Sequence, residues 1–322
     1  MSPHPIEGRR YTDTDHYEVS REKIREFARA VQDFHPAHWD DATARSFGHR
    51  GLVAPVTFAS TVASLAQRSL MRAALDGYDP ARLLHVEQDI RCCRPVTTGD
   101  RLTHEITVDS HRPIRGGDLI AVTTVIRDQA DEVVQTVHTT LAGRPHDSAP
   151  TMETLAMLDI LGPASEPRTP EPSAVPAKHP ADRRIVAPNL TAGQFFPRRT
   201  FRLTRGELVY YAGISGDVNP IHWHDQSAQH ANLDQVVAHG MLIMGLGAAC
   251  LTEWLGVPDR IAAYYTQFAT PVLIHTTRHS EIEFSGTVRA VDYTTRQATI
   301  SLTAQCDGTA TFGAASATVL LN

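Results

Sequence analysis

The feature that most constrains the fold of this chain is an internal repeat with a shift of 184 positions. Residues 20–58 match residues 204–242 without a gap, so the similarity lies in a single register. Two copies of one pattern predict two similar folding units. The identical pairs are Arg21 and Arg205, Ala28 and Ala212, Asp33 and Asp217, Pro36 and Pro220, His38 and His222, Trp39 and Trp223, Asp41 and Asp225, Ala44 and Ala228, Val53 and Val237, and Ala54 and Ala238.

The two copies are separated by a proline-rich segment. Residues 144–188 contain nine of the 20 prolines in the chain. Polar, proline-rich sequence buries too little apolar area to order itself, which predicts an extended linker. We therefore expect an N-terminal unit at residues 1–145, a linker at 146–186 and a C-terminal unit at 187–322. Residues 152–161 have helical spacing and are expected to dock as a short helix.

Each unit has the same predicted order of elements. A short strand leads into a capped helix, the helix ends at a loop rich in Asp and His, and a long apolar helix follows. Ser20 and Thr204 are the expected N-caps, and Glu207 fits a capping box with Thr204. The long helices are expected over residues 57–75 and 239–255.

Alternating strands close each unit. Apolar and polar residues alternate in four segments of each copy, which is typical of strands with one buried face. Gly116–Asp118 and Asp307–Gly308 are expected hairpin turns. A long apolar helix and a curved antiparallel sheet must bury each other, so each unit is predicted as an α+β fold. The expected strands are 16–19, 83–93, 101–110, 118–128 and 133–143 in the first unit, and 199–203, 261–269, 279–291, 296–306 and 310–321 in the second.

Composition argues against several classes of function. The formal net charge of −6 disfavours a general nucleic-acid binder, which would carry a basic excess. No apolar run reaches the roughly 18 residues of a membrane span, and the polar N-terminal segment lacks the apolar middle of a signal peptide. The four cysteines show no CxxC spacing, so we expect reduced thiols in a cytoplasmic protein. No motif indicates a bound cofactor.

The loop and the long helix of the second copy carry a specific motif. Residues 215–222 read SGDVNPIH and residues 237–241 read VAHGM. Together they resemble the MaoC-like hydratases and dehydratases, which have the hotdog fold. Residues 21–58 are similar to the A subunit of the actinobacterial (3R)-hydroxyacyl-ACP dehydratase, and residues 203–247 are similar to its B subunit. The resemblance implies a double hotdog, in which two units, each an antiparallel sheet wrapped around a long central helix, form a pseudo-dimer within one chain.

The resemblance also implies a reaction. Removing water from a 3-hydroxyacyl thioester needs a base for the C2 proton, an acid for the leaving hydroxyl and a group that holds negative charge on the thioester oxygen. His222 suits the base, because a neutral imidazole is available near pH 7, and Asp217 suits the partner of the hydroxyl or water. The N–H of Gly240, at the start of the long helix, is expected to face the thioester oxygen.

Four further residues are candidates for binding the substrate. Asn219 is expected to hold the loop through side-chain bonds to the backbone, and His239 is expected to have a structural role at the helix start. Gly245 and Ala248 lie inside the long helix, where small residues allow either close packing or room for an acyl chain. Many R-specific enoyl-CoA hydratases have, at the position of Ala248, a Ser that contacts the catalytic Asp, so the group that orients Asp217 is left open.

The N-terminal copy keeps the pair but not the helix start. Asp33 and His38 have the spacing of the catalytic pair, whereas Val56 occupies the position of Gly240. The branched side chain of Val56 is expected to crowd an approaching thioester. We therefore interpret Asp33 and His38 as a vestigial pair in an A-type unit that binds the acyl chain and acts as a scaffold, while the B-type C-terminal unit is catalytic.

Two clusters of residues allow other interpretations. His222 and His224 have the HxH spacing of metal ligands, but none of the nearby histidines supplies a third ligand at firm spacing, so we expect no metal site. His224 is expected to face solvent. Four arginines before the capped helix either meet phosphopantetheine or an acidic carrier protein, or form a solvated basic edge. They are Arg198, Arg199, Arg202 and Arg205.

The sequence thus predicts a (3R)-hydroxyacyl-ACP dehydratase of fatty acid or polyketide elongation. An R-specific enoyl-CoA hydratase is the alternative, because hydration reverses the same reaction. A hotdog thioesterase and a non-catalytic acyl-binding scaffold are further alternatives that fit the intact motif less well. The expected partner is an acyl thioester on acyl carrier protein or on coenzyme A. Chain length, carrier, pathway and assembly, either a monomeric pseudo-dimer or a homodimer of it, are open.

Overall fold

The computed structural model describes residues 6–12, 15–74, 78, 83–143 and 189–321. The predicted linker and the predicted helix at residues 152–161 lie outside these ranges. Residues 6–143 are called the N-terminal unit below, and residues 189–321 the C-terminal unit. Among the residues described, no helix combines the length and the apolar composition needed to cross a membrane.

The elements follow the predicted order in both units. The N-terminal unit contains β1 (Arg10–Thr12), β2 (Tyr17–Glu18), α1 (Arg21–Ala30), α2 (Asp41–Ser46), α3 (Ala59–Ala74), β3 (Leu84–Cys92), β4 (Arg101–Ile114), β5 (Gly117–Arg127) and β6 (Val133–Gly143). The C-terminal unit contains β7 (Arg199–Leu203), α4 (Arg205–Ser215), α5 (Asp225–His230), α6 (Gly240–Leu255), β8 (Ile261–Phe268), β9 (Ser280–Asp292), β10 (Gln297–Cys306), β11 (Thr309–Ala310) and β12 (Phe312–Leu320). Of these strands, β1 was not predicted, and the strand predicted at 310–321 is divided at Thr311 into β11 and β12.

The helix starts depend on the predicted caps. The Ser20 side chain accepts a hydrogen bond from the Lys23 N–H at 3.2 Å, and the Glu207 carboxylate accepts one from the Thr204 N–H at 2.7 Å. Both predicted N-caps are therefore confirmed. Each bond satisfies a backbone donor that has no partner within the helix.

The repeat in the sequence is also a repeat in the structure. A 3-10 turn at Pro36–His38 recurs at Pro220–His222, and α2 recurs as α5, both with the same shift of 184. Arg205 forms an ion pair with Asp225 at 2.6 Å, and the matching residues of the first copy, Arg21 and Asp41, form the same pair. The shared residues thus preserve local structure in both units.

One continuous antiparallel sheet joins the two units. Its strand order is β1-β4-β5-β6-β3-β8-β12-β10-β9-β7, with β2 added beside β4 and β11 beside β10. The units meet where β3 pairs with β8, and Asp89 lies opposite Tyr265 at the centre of this seam. The long helix of each unit packs against its own half of the sheet: α3 contacts β4 and β5, and α6 approaches β8 and β9 at Gly247. The expected α+β pseudo-dimer of two sheet-and-helix units is confirmed.

The long helix α6 is buried on nearly all sides, as its composition predicts. A Cβ on Gly245 would lie 2.5 Å from Cγ1 of Val31, at the end of α1, and a Cβ on Gly247 would meet Tyr264 and Phe284. Both glycines therefore allow other elements to approach α6 closely. Close packing, and not room for an acyl chain, explains them.

Candidate active site

The loop after α4 is held by its own side chains. The Asp217 N–H donates to Oγ of Ser215 at 3.2 Å, and the Asn219 N–H donates to Oδ1 of Asp217 at 3.3 Å. Oδ1 of Asn219 accepts in turn from the Ile221 N–H at 3.3 Å. These bonds confirm the predicted loop-holding contact of Asn219, and they place Asp217 and the following 3-10 turn in fixed relation.

His222 and Asp217, called the open pair below, lie side by side. Nε2 of His222 is 4.0 Å from Oδ2 of Asp217, and 9% and 25% of the two side chains are exposed. Nδ1 of His222 is 2.8 Å from the carbonyl oxygen of Val237. Because a carbonyl only accepts, Nδ1 must carry a proton. The neutral ring then has an unprotonated Nε2 directed to the side of Asp217, which suits a base.

The surroundings of the open pair favour a neutral His222 and an ionised Asp217. Burial lowers the pKa of His222, and neighbouring Asp217 offsets this effect only in part. Burial acts to raise the pKa of Asp217, but nearby His239, His222 and His85 and the Asn219 N–H outweigh it, so that pKa is lowered. A neutral imidazole therefore stands beside a carboxylate near pH 7.

His239 supports the open pair from behind. Its ring stacks on His222 with centroids 3.7 Å apart, and its Nε2 lies 3.1 Å from the carbonyl oxygen of Asp217. Only 1% of the residue is exposed. Burial, with a further contribution from His222, lowers the pKa of His239 to about 3, so the ring is neutral. These contacts fit the predicted structural role at the helix start.

Three of these side chains come close enough to suggest a metal site. One ligand atom each of Asp217, His222 and His239 lies within 4.8 Å of the others. The two rings are only 24° from parallel, however, so their nitrogen lone pairs run side by side and do not converge on one ion. His224 does not join them. Its ring accepts from the Ser227 N–H at 3.3 Å and caps α5, which corrects the expectation that it simply faces solvent.

The start of α6 lies beside the open pair. Gly240 is the first residue of the helix, where N–H groups have no partner within the helix. A Cβ at Gly240 would lie 3.3 Å from the ring of Phe268. Glycine thus leaves a narrow approach to a positively polarised helix end, which can hold developing negative charge on an oxygen.

A cavity of about 480 Å³ opens at the open pair and is lined by both units. From the C-terminal unit it includes the open pair, Asn219, Gly240 and Phe268. Its lining from the N-terminal unit is Ser64, Gln67, Leu83, Leu84, His85, Val86, Leu141 and Ala142.

Three of the predicted substrate-binding residues do not line this cavity: His239, Gly245 and Ala248. Ser64, which does, occupies the position of Ala248 in the other copy. The contribution of His85 was not predicted at all.

Asp33 and His38, called the sealed pair below, have nearly the same arrangement as the open pair but are shielded from solvent. Nε2 of His38 lies 3.3 Å from Oδ2 of Asp33, and 0% and 3% of the two side chains are exposed. Nδ1 of His38 is 2.6 Å from the Val53 carbonyl oxygen, as in the other copy. A second cavity of about 160 Å³ lies at the start of the matching helix and is lined by Val56, but by neither member of the sealed pair.

One residue explains much of this closure. His35 stands where the C-terminal unit has Asn219. Its ring packs edge-on against Phe47 and His38 with centroids 5.3 and 5.8 Å away, and its Nε2 lies 3.3 Å from the Gly256 carbonyl oxygen. A larger side chain thus bridges the loop to the other unit and covers the pair.

The arginine cluster before α4 is not a free cationic surface. Each guanidinium lies within 3.0 Å of a carboxylate oxygen, so the carboxylates balance its charge. This arrangement favours the solvated-edge interpretation over a carrier-binding site. The pairs are Arg198 with Glu283, Arg199 with Glu253, Arg202 with Glu281, and Arg205 with Asp225.

Comparison with family models divides the chain in the same way. Residues 6–137 match the FAS1-like dehydratase domain region, and residues 189–305 match the MaoC-like domain. A "UPF0336 protein" of Streptomyces griseus is 39% identical over 142 residues, which is 44% of this chain and 95% of that protein.

Solved structures extend the similarity to the whole chain. A structure described as a MaoC-like dehydratase is 36% identical, with a TM-score of 0.87, over 98% of this chain and 99% of that one. A Mycobacterium tuberculosis protein described as having a double hotdog fold is 14% identical, with a TM-score of 0.66, over 99% of both chains. The second similarity concerns the fold alone.

Proposed function

Because this chain belongs to the MaoC-like dehydratase family, whose chemistry is that of hydro-lyases, we propose that it is a (3R)-hydroxyacyl-ACP dehydratase. It removes water from a 3-hydroxyacyl thioester and forms the trans-2-enoyl thioester during fatty acid or polyketide elongation. The observation that carries this proposal is the open pair, with Nε2 of His222 4.0 Å from Oδ2 of Asp217 at the wall of the cavity.

His222 begins the reaction as the base. Its Nδ1–H donates to the Val237 carbonyl, so Nε2 is the nitrogen that accepts a proton. That proton comes from C2 of the acyl chain, which the thioester carbonyl acidifies. The lowered pKa of His222, caused first by burial, keeps the ring neutral and available at neutral pH.

Asp217 has a different part in the reaction. Its pKa is lowered, because three histidines and a backbone N–H outweigh the effect of burial, so it is a carboxylate with no proton to give. It accepts a hydrogen bond from the 3-hydroxyl and stabilises the imidazolium formed on His222. The imidazolium then returns its proton to the hydroxyl, the C3–O bond breaks and water leaves. The electron pair from C2–H becomes the C2–C3 double bond.

The start of α6 holds the charge that develops between these events. As C2 loses its proton, negative charge moves to the thioester oxygen, and the Gly240 N–H donates to that oxygen at the positive end of the helix. Removing one such donor in other enzymes lowers rates by about 10²–10³. The absence of a Cβ at Gly240 gives the thioester the space to approach.

The N-terminal unit forms the other wall of the site. It carries the sealed pair, and its Val56 stands where the C-terminal unit has Gly240. We assign it a binding and scaffolding role, since β3, β6 and α3 line the cavity that holds the acyl chain. The division at residues 1–145 and 187–322, with a linker at 146–186, belongs to the same proposal.

The test is an assay of enoyl formation with carrier-bound 3-hydroxyacyl substrates from C4 to long chain. The coenzyme A thioesters of the same acids are the matched series. We expect enoyl product with the carrier series, formed at least about a hundredfold more slowly by His222→Ala. Faster turnover of the coenzyme A series would favour the hydratase alternative. Free thiol without enoyl product, or binding without reaction, would overturn the proposal.

A further inference from the structure

The N-terminal unit contributes one titratable side chain to the lining of the large cavity. Its other lining residues there are apolar or uncharged polar, whereas His85 carries an imidazole. The side chain is partly buried. Neither acyl-chain packing nor the sheet requires a histidine at this position.

A backbone irregularity sets the direction of His85. In the pairing of β3 with β6, His85 lies opposite Leu141 and Glu87 lies opposite Thr140, so Val86 is an extra residue. Such a bulge turns the strand locally and redirects its side chains, and bulges are frequent beside active sites. The pairing of β3 with β8 begins only at Glu87, so His85 extends beyond the seam towards the cavity.

The seam between the units has internal symmetry. Glu87 pairs with Gln267, and Arg91 pairs with Ala263. Each pair lies two residues from the same centre, on opposite sides. The bridge between Val53 and Thr97 recurs between Val237 and Leu273. Thr97 and Leu273 are 176 positions apart, as are the paired Asp89 and Tyr265, so residues of β3 and β8 that are 176 apart are structurally equivalent.

This symmetry identifies the counterpart of His85. The centre is Asp89 opposite Tyr265, and four residues earlier in each strand stand His85 and Ile261. Ile261 lines the small cavity beside Val56, just as His85 lines the large cavity beside the open pair. The pseudo-dimer thus has a histidine, His85, beside the accessible Asp–His pair and an aliphatic residue, Ile261, at the matching position beside the sealed one.

The charge state of His85 suits a hydrogen-bonding role. Burial lowers its pKa, while Asp217 acts to raise it and His222 acts to lower it further. The net direction leaves a neutral ring near pH 7, with one donor and one acceptor nitrogen. His85 and both members of the open pair line the same cavity, which places the imidazole at its reacting end.

We propose that His85 is a substrate-contacting residue supplied by the N-terminal unit, which hydrogen-bonds the 3-hydroxyl of the substrate opposite the open pair. This inference rests on the proposed dehydratase function. The reacting end of the substrate has two polar groups, the thioester carbonyl and the 3-hydroxyl. The Gly240 N–H serves the first. A neutral imidazole N–H can donate to the second, whose oxygen gains charge as the C3–O bond breaks.

Kinetics of three variants at His85 test this contact. With a 3-hydroxybutyryl thioester, His85→Ala and His85→Phe are expected to lower kcat/KM about tenfold or more, since one hydrogen bond to a charged or charging group is lost. His85→Gln, whose side-chain amide N–H can replace the imidazole N–H as donor, is expected to stay within about threefold of wild type. Equal losses in Gln and Phe would indicate that only shape matters and would overturn the inference.

A binding measurement separates this inference from the reaction itself. In the His222→Ala background, the affinities of 3-hydroxybutyryl-CoA and butyryl-CoA are compared by calorimetry, with and without His85→Ala. We expect His85 to strengthen the preference for the hydroxylated ligand about two- to tenfold, and the preference to fall by that factor in His85→Ala, where only the bond to Asp217 remains. An unchanged preference would overturn the contact, even if the enzyme proves to be a dehydratase.

The matched control is Ile261→Ala, at the equivalent position of the other strand. It removes a buried side chain just beyond one end of the seam, as His85→Ala removes a partly buried one at the other end, and it does not touch the large cavity. The kcat/KM per folded molecule should therefore equal that of wild type when assayed below its Tm. A loss equal to that of His85→Ala would show that truncation beside the seam, and not the missing imidazole, is responsible. If wild type forms no enoyl product, the proposed function fails, and the binding comparison still tests His85.

Discussion

The two Asp–His pairs of this molecule have nearly the same framework and opposite surroundings. In both copies the imidazole Nδ1 bonds to a valine carbonyl, at 2.6 Å in His38 and 2.8 Å in His222. The sealed pair is closer, at 3.3 Å against 4.0 Å, and it is almost wholly shielded. The open pair borders a cavity about three times as large as the one beside Val56.

The difference lies in residues outside the shared motif. His35 in place of Asn219 bridges the first loop to the Gly256 carbonyl, and Val56 in place of Gly240 adds a branched side chain at the helix start. The same motif can therefore form a buried Asp–His pair or an Asp–His pair that borders a cavity, according to what covers it. Substitutions in the open pair should therefore affect mainly activity, and substitutions in the sealed pair should affect mainly stability.

His222→Ala should have the largest effect on activity. The base is lost, so the rate should fall by about 10²–10⁴, the usual range for an acid/base group. Stability should change little, because the side chain borders an open cavity. Enoyl formation and thermal unfolding of the same preparation measure both quantities. A rate equal to wild type would remove His222 from the mechanism.

His38→Ala should have the opposite profile. Deleting one partner of a fully buried pair leaves Asp33 without compensation, which destabilises by about 3–5 kcal/mol. Turnover per folded molecule should stay near that of wild type. Denaturant unfolding gives the free energy. Adding Asp33→Asn should restore part of the stability, and a large loss of turnover with unchanged stability would reverse the assignment of the two pairs.

Gly240→Val transfers the helix start of the sealed copy to the open one. The added side chain meets the Phe268 ring and crowds the N–H of residue 240. We expect kcat/KM to fall about tenfold to a hundredfold, which is no more than the loss caused by deleting an oxyanion donor. The reciprocal Val56→Gly should create no new activity, because His35 still covers the sealed pair. Unchanged kinetics in Gly240→Val would show that the helix start does not receive the thioester.

Gly245→Ala tests the packing between the units. The new methyl would lie 2.5 Å from Cγ1 of Val31, and overpacking of this kind lowers the free energy of unfolding by about 1–3 kcal/mol. The higher helix propensity of Ala offsets about 1 kcal/mol of this loss. Gly213→Ala is the control, since a Cβ there meets nothing within 4 Å. It should leave Tm equal or higher. A Tm in Gly245→Ala as high as in the control would contradict close packing.

The smallest expected effect is that of pH between 8 and 6.5. Because burial lowers the pKa of His222 below its ordinary 6.5, the ring stays neutral over this interval and kcat/KM should change by less than about twofold. The loss should begin only below pH 6.5, as the base takes up a proton. A pH-rate profile that has already fallen by half at pH 6.5 would show an unperturbed imidazole.

Much of the fold follows from local sequence signals. The single register of the repeat predicted paired elements, and Ser20, Thr204 and Glu207 predicted the helix starts. Alternation of apolar residues predicted eight long strands, because each strand buries one face. In the loop, side-chain bonds of Asn219 were predictable for the same reason: they join residues that are neighbours in the chain.

The parts that sequence did not predict depend on contacts between distant segments. His85 reaches the cavity through a bulge and through the register of β3 on β8, and neither leaves a local signal in the sequence. The closure of the sealed pair depends on His35 meeting Gly256 of the other unit. The carboxylates that neutralise Arg198 and Arg202 come from β9, about 80 residues away in sequence.

The seam between β3 and β8 also governs how this protein must be produced. Separating the units would leave each strand with a row of unpaired backbone donors and acceptors, which is the surface on which sheets aggregate. Either unit expressed alone is therefore expected to be poorly soluble, and the two should recover native solubility only when synthesised together. Joining them in one chain guarantees equal amounts of both and supplies each exposed edge with its partner at once.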